Sequence, residues 1–331
     1  MRNHRQSPQC PIDNAWRQLA LPLMTIHLHL NLAAPDLPES HPLNSVLGSA
    51  LKRRPAPVPI HHQTYWKAAH FNLAQANIFK DATEEEQNQI LTACSRSILA
   101  EAYYIEKSGM YFAAKMSLLA ENTQERMLYS MFAADEATHF SWFAKYISDD
   151  EAAAYLHNPF LNLLSEVLQN EERNTLNYII QIVLEGWGIT HYHALAKDCL
   201  EPGLIEIFAQ IIKDEGRHHG SGLILCNERK FSSVEIKRIT EILKTFLAMV
   251  QVGPQMVVAE VERVKGHLSL AQKTKLFADL NCEIETTKKI ETLKGLIKNT
   301  KCAPEVMAEL ERSGVLRAFT AQECGSMEYK L

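Results

Sequence analysis

The chain has 331 residues, a formal net charge of −5 at pH 7 and a hydrophobic share of 46%. This length allows one or two domains with a large core, and the negative net charge gives no indication of nucleic-acid binding. Seven widely spaced cysteines without a Cys-x-x-Cys pair exclude a dense disulfide framework, which favours reduced thiols and a cytoplasmic location.

Residues 1–63 are interpreted as an N-terminal extension. The stretch from 19 to 34 is apolar, but His27 and His29 interrupt it. It is too short for a membrane span, so we expect it to pack against the protein, and no membrane contact is indicated elsewhere. Residues 35–63 are rich in proline, which is typical of a loop or linker.

Residues 64–230 contain long segments with little proline or glycine and predict four principal helices. Thr83-x-x-Glu86 is a capping box that opens the first helix, and Asn122 caps the second. Asn158-Pro159 indicates a short connecting helix, because proline is tolerated in a first turn. The expected bounds of the four helices are roughly 83–119, 122–148, 170–199 and 202–226.

Residues 231–331 are expected to form a helical extension that packs on the preceding bundle. Ser232 and Ser269 each precede a glutamate or glutamine by three residues, and both predict helix starts. The lysine-rich segment 288–301 is interpreted as a solvated helix face. Because no series of strands is recognisable, the sequence predicts an all-α protein.

Two short strings in the second and fourth predicted helices share one pattern. Residues 135–139 read Asp-Glu-Ala-Thr-His and residues 214–218 read Asp-Glu-Gly-Arg-His. Of the 14 histidines, only His139 and His218 follow a glutamate by three residues. A further glutamate lies 30 residues upstream of each motif glutamate, and a glycine follows it by three residues. The chain therefore repeats one half-site twice, with these candidate metal ligands: Glu106, Glu136, His139, Glu185, Glu215 and His218.

Four carboxylates and two imidazoles at these spacings are the ligand set of a two-metal site inside a helix bundle. Both motifs interrupt apolar faces with a spacing of three and four residues, and buried charge is costly unless it is paired or bound to metal. The turn near Asn122 places Glu106 opposite the first motif, and the turn near Glu201 places Glu185 opposite the second. Glu101 is the alternative to Glu106, about a turn and a half deeper.

Carboxylate and imidazole donors favour iron, with manganese second and zinc less suitable in the absence of cysteine. Asp135 and Asp214 are expected behind the ligands, where each can accept the second ring N–H of a histidine across the bundle. Arg217 can balance the excess negative charge. Two histidines leave coordination positions open for dioxygen.

This duplicated pattern resembles the ferritin-like carboxylate-bridged di-iron proteins. They include acyl-carrier-protein desaturases, bacterial multicomponent hydroxylases, arylamine N-oxygenases and the small subunit of ribonucleotide reductase. The resemblance covers residues 85–226 and implies a ferritin-like four-helix bundle with a central dinuclear site. It implies iron ligation by the six candidate ligands and supporting roles for Asp135 and Asp214. The shared ligands do not define the reaction.

Two positions depart from particular members of this family. Reductase subunits with a stable tyrosyl radical carry a tyrosine four residues after the first motif histidine, where this chain has Phe143. Some N-oxygenases use a third histidine four residues before the last motif glutamate, where this chain has Ile211. The candidates to replace that histidine are His191, His193 and His219.

The leading hypothesis is an oxidoreductase that activates dioxygen at two iron ions and oxidises a small organic substrate. Hydroxylation, desaturation, N-oxygenation and oxidative cleavage all fit. A ferredoxin or flavoprotein is expected to donate electrons, because the chain has no glycine-rich nucleotide motif, and the substrate itself is the alternative electron source. The alternatives are a ferroxidase or peroxide-scavenging protein and a non-enzymatic subunit of a larger di-iron complex. A homodimer is compatible with long helix faces.

Overall fold

The computed structural model describes residues 40–51 and 64–327. Within these residues the protein is all-helical and has no strand, which confirms the predicted all-α class. The apolar stretch 19–34 and Cys10 lie outside the described residues. The other six cysteines are buried and free.

The first half of the described chain contains the helices that carry the sequence motifs. Their bounds are α1 Pro42–Leu51, α2 Asn77–Lys80, α3 Glu84–Leu119, α4 Thr123–Phe143, α5 Asp149–Ala153, α6 Pro159–Asn170, α7 Arg173–Leu176, α8 Glu185–Asp198 and α9 Pro202–Glu228. A 3-10 turn, Leu73–Gln75, precedes α2, and a π-helical segment, Asn177–Leu184, joins α7 to α8.

Two helical hairpins form the centre of the protein. Helix α3 packs along α4, and α8 together with the π-helical segment packs along α9. Contacts between α4 and α9 bring the two hairpins face to face. The Trp66 indole Nε1 donates a hydrogen bond of 2.9 Å to the Leu195 carbonyl, which fixes the chain before α2 against α8. Both motif-bearing helices therefore lie at the interface between the hairpins.

The C-terminal helices pack around this centre. Their bounds are α10 Ser233–Gln251, α11 Gln255–Lys265, α12 Leu270–Asp279, α13 Cys282–Lys298, α14 Ala303–Ser313 and α15 Ala321–Gly325. Helix α11 contacts α3, α10 contacts α6, and α13 contacts the π-helical segment and α8. The C-terminal helices thus contact both hairpins.

Capping residues explain where most of these helices begin. Thr83, Ser232 and Ser269 each accept a hydrogen bond from the backbone three residues later, and the side chain at that position returns one to the cap. Such reciprocal bonds satisfy backbone donors that a helix start leaves free. The predicted starts of α3, α10 and α12 are therefore confirmed.

Three local predictions differ from the structure. The loop expected over 35–63 contains helix α1, whose first residue, Pro42, has a backbone already suited to a first turn. The second principal helix ends at Phe143 instead of near 148, because Ser148 caps the separate helix α5. The third begins as α7 and passes through the π-helical segment instead of running as one regular α-helix.

Among the described residues, no single helix has both the length and the apolar character needed to cross a membrane. Helices α10 and α11 pass the same test only as a pair, and they are bent by 43° relative to each other.

Candidate metal centre

The six sequence-predicted ligands come from all four arms of the two hairpins. Helix α3 supplies Glu106, helix α4 supplies Glu136 and His139, and helix α9 supplies Glu215 and His218. Glu185 is the first residue of α8, directly after the π-helical segment. Five of these side chains are buried and Glu185 is partly buried.

These side chains form two overlapping groups that could each hold a metal ion. One group contains Glu106, Glu136, His139 and Glu215, and the other contains Glu136, Glu185 and His218. In each group, one donor atom from every residue lies within 4.8 Å of the others. Glu136 belongs to both groups, so its carboxylate connects them.

Gly109 creates the space that the Glu136 carboxylate occupies. A methyl group built on Gly109 would lie 2.6 Å from Glu136 Cδ, far closer than atoms can approach. Gly188, the corresponding glycine of the other half-site, has no atom within 4 Å of such a methyl group. Each glycine follows a candidate ligand glutamate by three residues, but the two have different effects. Gly109 makes room for the Glu136 side chain, whereas Gly188 borders open space.

Two aspartates hold the motif histidines from the opposite hairpin. Asp214 Oδ2 lies 3.0 Å from His139 Nε2, and Asp135 Oδ2 lies 3.5 Å from His218 Nε2. In both histidines Nδ1 faces the ligand cluster, 3.1 Å from Glu106 Oε2 for His139 and 3.2 Å from Glu136 Oε1 for His218. A carboxylate behind each ring leaves the other nitrogen directed at the cluster, as in metal-binding histidines.

Arg217 places a positive charge beside the two supporting aspartates. Its guanidinium pairs with Asp214 and lies 3.6 Å from Asp135 Oδ2. Its side chain is more than half exposed, and it pairs with the two supporting aspartates but forms no ion pair with Glu106, Glu136, Glu185 or Glu215.

The cluster retains polar atoms that no protein group satisfies among the described residues. Glu185 Oε2 and both ring nitrogens of His218 are buried without a hydrogen bond. His218 Nδ1 is close to Glu136, but the orientation does not allow a hydrogen bond. Buried polar atoms in native proteins nearly always have partners, so Glu185 Oε2 and His218 Nδ1, which face the cluster, fit ligation of a metal ion.

Electrostatics within the cluster also favour cations. Burial and the neighbouring carboxylates raise the pKa of Glu136 and Glu215 well above the ordinary value. Burial does the same for Glu185, although His218 opposes it. Burial disfavours the charge of Glu106, but the hydrogen bonds from His139 and Tyr192 and the charge of His139 together outweigh it and lower the pKa. Several carboxylates at this distance cannot all ionise without added positive charge.

The histidines respond to the same excess of carboxylates. Burial opposes the protonation of His139, but hydrogen bonds to Asp214 and Glu106 raise its pKa well above the ordinary value. The pKa of His218 is also raised, because Asp135 and Glu185 outweigh the effect of burial. In the absence of metal, protons take the positions that divalent cations would otherwise hold.

The alternative ligand Glu101 lies away from both groups. Its Oε2 accepts a hydrogen bond of 2.6 Å from Asn158 Nδ2, and burial raises its pKa. The structure therefore brings Glu106 into the cluster and leaves Glu101 outside it.

Neither potential ligand group contains the three extra histidines considered from the sequence. His219 Nδ1 lies 3.3 Å from the Gln181 carbonyl, and His193 is exposed. His191 faces a cavity.

Phe143 packs against Tyr192 and Phe208, as an apolar residue at its position should.

Tyr192 and Gln181 support the cluster in ways that the sequence motifs did not indicate. The Tyr192 hydroxyl donates a hydrogen bond to Glu106 Oε1. Gln181 accepts a hydrogen bond of 2.9 Å from the Tyr129 hydroxyl and donates one of 2.7 Å to the His218 carbonyl. Tyr192 follows Glu185 by seven residues, so helical periodicity could have placed it on the same face. The π-helical segment that aims Gln181 has no comparable signal in the sequence.

A cavity of about 1440 Å³ reaches the ligand cluster. This is larger than a typical small-molecule pocket of roughly 300–1,000 Å³. Its wall includes four candidate ligand carboxylates and many apolar side chains, among them Ile105, Phe112, Leu163, Ile180, Leu184 and Trp187. Lys289, an exposed residue of the segment 288–301, also lines it. The arrangement can hold an organic molecule against the ligands.

No protein-family model, curated protein or solved structure matches the chain.

Proposed function

We propose that the protein is a ferritin-like di-iron oxidoreductase that activates dioxygen to oxidise a small organic substrate. In this proposal α3, α4, α9 and the combined α7, π-helical and α8 segment form the ferritin-like bundle. The six ligands Glu106, Glu136, His139, Glu185, Glu215 and His218 hold two iron ions, with manganese as the alternative.

The observation that carries this proposal is that two groups of potential metal ligands share one carboxylate. Glu136 belongs to both groups, and each group contains one histidine. Four carboxylates balance the charge of two divalent cations, and the donor types suit iron or manganese better than zinc. The unsatisfied atoms of Glu185 and His218 support the same assignment.

Bound iron would supply the electrons and the open coordination positions that dioxygen reduction requires. The protein contributes orientation and exclusion of water. Asp214 and Asp135 fix the histidine rings, and Tyr192 holds one oxygen of Glu106 by donating its hydroxyl proton. Apolar walls around the cluster limit its access to water.

The cavity supports substrate oxidation over iron storage. A storage protein needs a path for ions, whereas this cavity has predominantly apolar walls and the volume of an organic ligand. A ferredoxin or flavoprotein as electron donor, a homodimer and a cytoplasmic location are further parts of the proposal that rest on the sequence.

The proposal is tested by oxygen consumption with a reductant and a library of small organic compounds. We expect iron-loaded protein to consume oxygen faster with a subset of compounds and to yield an oxidised product by mass spectrometry. His218→Ala should abolish both. Iron oxidation that no compound accelerates, with ferric iron accumulating in the protein, would instead support a ferroxidase.

A further inference from the structure

The cavity contains a second polar region that the metal ligands do not include. Glu101 on α3, His191 on α8 and Lys289 on α13 all line the cavity, and we call these three residues the polar patch. Lys289 interacts electrostatically with both Glu101 and His191. Three separate helices therefore bring ionisable groups to one part of the cavity.

Lys289 carries a charge that its surroundings leave unsatisfied. Its side chain projects into the cavity and keeps a large exposed fraction, yet protein surrounds it and burial lowers the pKa of its ammonium. It forms no hydrogen bond or ion pair with another residue in the described ranges. An ammonium group on a cavity wall without an ion-pair partner can bind an anionic group of a ligand.

Glu101 offers the opposite charge in the same patch. Burial raises the pKa of its carboxyl, and Asn158 is its hydrogen-bond donor. It attracts Lys289 through space but does not form an ion pair with it among the described residues. His191 is neutral near pH 7, because burial lowers its pKa to about 4, and its ring can donate or accept a hydrogen bond.

The helical register gives the distance between the polar patch and the metal ligands. Glu101 precedes Glu106 by five residues and His191 follows Glu185 by six. These separations correspond to roughly 7.5 and 9 Å along the two helix axes. Ile105, Leu184 and Trp187 are among the apolar side chains of the same cavity. A ligand that spans this distance therefore needs a polar head and an apolar body.

We propose that the polar patch binds the head group of a free α-amino acid, with Lys289 on its carboxylate and Glu101 on its ammonium. The inference rests on the proposed function, because it directs the amino acid's apolar side chain at the metal ligands. An organic acid without the amino group would leave Glu101 without a cationic partner, and a simple amine would leave Lys289 without an anionic one. The distance fits a side chain of about four to six carbon atoms, given carbon–carbon bonds of roughly 1.5 Å.

Three matched probes separate the two charges. L-Norleucine has both groups, hexanoate lacks the amino group, and pentylamine lacks the carboxylate. Calorimetric binding is measured on the full chain without metal and again after iron loading. L-Methionine and L-phenylalanine serve as further amino acids, so that the result does not depend on one side chain. We expect at least one amino acid to bind more tightly than both hexanoate and pentylamine.

Two variants test the assignment of each charge. Lys289→Met should weaken binding of the amino acid and of hexanoate by about 30-fold or more and leave pentylamine unaffected. Glu101→Gln should weaken the amino acid and pentylamine and leave hexanoate unaffected. Lys298→Met, an exposed position on the same helix, is the control and should change none of the three.

The inference is overturned if no amino acid binds, if hexanoate or pentylamine binds as tightly as the amino acids, or if Lys289→Met behaves like Lys298→Met. These results are distinguishable from a failure of the proposed function. Because binding is also measured without metal, loss of iron binding would remove the di-iron proposal while leaving the amino-acid data readable.

Discussion

Asp214 on α9 lies 3.0 Å from the Nε2 atom of His139 on α4, and the reciprocal pair Asp135 and His218 connects the same two helices in the opposite sense. Each motif therefore supplies a histidine to the cluster and a carboxylate to the other motif's histidine. Because each aspartate contacts the histidine of the other motif, the two Asp-Glu-x-x-His motifs support each other only when the hairpins are in contact.

Replacing Asp214 should weaken metal binding without removing a ligand. Asp214→Asn removes the charge that orients His139, and we expect a 10- to 100-fold loss of affinity for ferrous or manganous ion. Asp135→Asn should cost less, because its distance to His218 is longer, 3.5 Å. Anaerobic metal titration measures both, with Glu206→Gln on the exposed side of α9 as the control. Affinity of Asp214→Asn equal to that of the control would contradict the supporting role.

The two glycines should differ sharply when changed to alanine. Gly109→Ala places a methyl group against the Glu136 carboxylate, so that ligand must move and occupancy at both metal positions should fall. Gly188→Ala meets open cavity space and should keep full metal occupancy. Iron content per chain after anaerobic loading is the measurement. Equal occupancy in the two variants would show that Glu136 does not depend on the space at Gly109.

The choice between Glu106 and Glu101 is tested by one matched pair. Glu106→Gln should reduce occupancy of the metal position that it shares with His139, because a neutral amide is a weaker ligand. Glu101→Gln should bind the normal amount of metal, since its carboxylate lies outside both groups. Metal content of the purified, reloaded variants decides between them, and the reverse pattern would make Glu101 the ligand.

Much of the fold was predictable because local chemistry determines it. Thr83, Ser232 and Ser269 mark helix starts by their own hydrogen bonds, and these starts were predicted correctly. The repeated 30-residue spacing predicted candidate ligands that the structure brings together, because two antiparallel hairpins of similar length bring equivalent positions together. The spacing could not reveal which half-site needed its glycine for a ligand and which for space.

Other features depend on tertiary packing and have no local signal. The π-helical segment Asn177–Leu184 arises in a run of apolar residues that reads equally well as a regular helix. Lys289 lies among lysines that look alike in sequence, and only the packing of α13 against α8 turns it towards the cavity. The prediction of a loop before residue 64 was wrong for residues 42–51, because proline is compatible with the first turn of a helix.

Metal removal should make stability depend on pH with a definite sign. Without metal, the raised pKa values of Glu136, Glu185 and Glu215 mean that the folded state binds more protons than the unfolded chain above pH 4.5. The free energy of unfolding therefore falls as pH rises from 4.5 through these raised values. His139 acts in the same direction above pH 6.5. The pKa values of Glu106 and Asp214 are lowered. These two groups therefore make stability depend on pH only below the ordinary carboxyl range, where stability falls as pH falls.

Thermal unfolding from pH 5 to pH 8 checks this expectation. The metal-free protein should lose stability with rising pH, and metal at about 100 times its Kd should raise Tm by roughly 5–10 °C. The metal-loaded protein should show a weaker pH dependence, because cations replace the protons. A metal-free Tm that rises across this window would contradict the buried carboxylate cluster.

The most direct test of the central claim is the number of ferrous ions bound per chain in an anaerobic titration, compared with Glu136→Ala. The account predicts two ions for the wild-type chain and impaired binding at both positions in the variant, because Glu136 belongs to both ligand groups. No stoichiometric binding, a single ion, or two ions retained by Glu136→Ala would contradict a dinuclear centre bridged by this carboxylate.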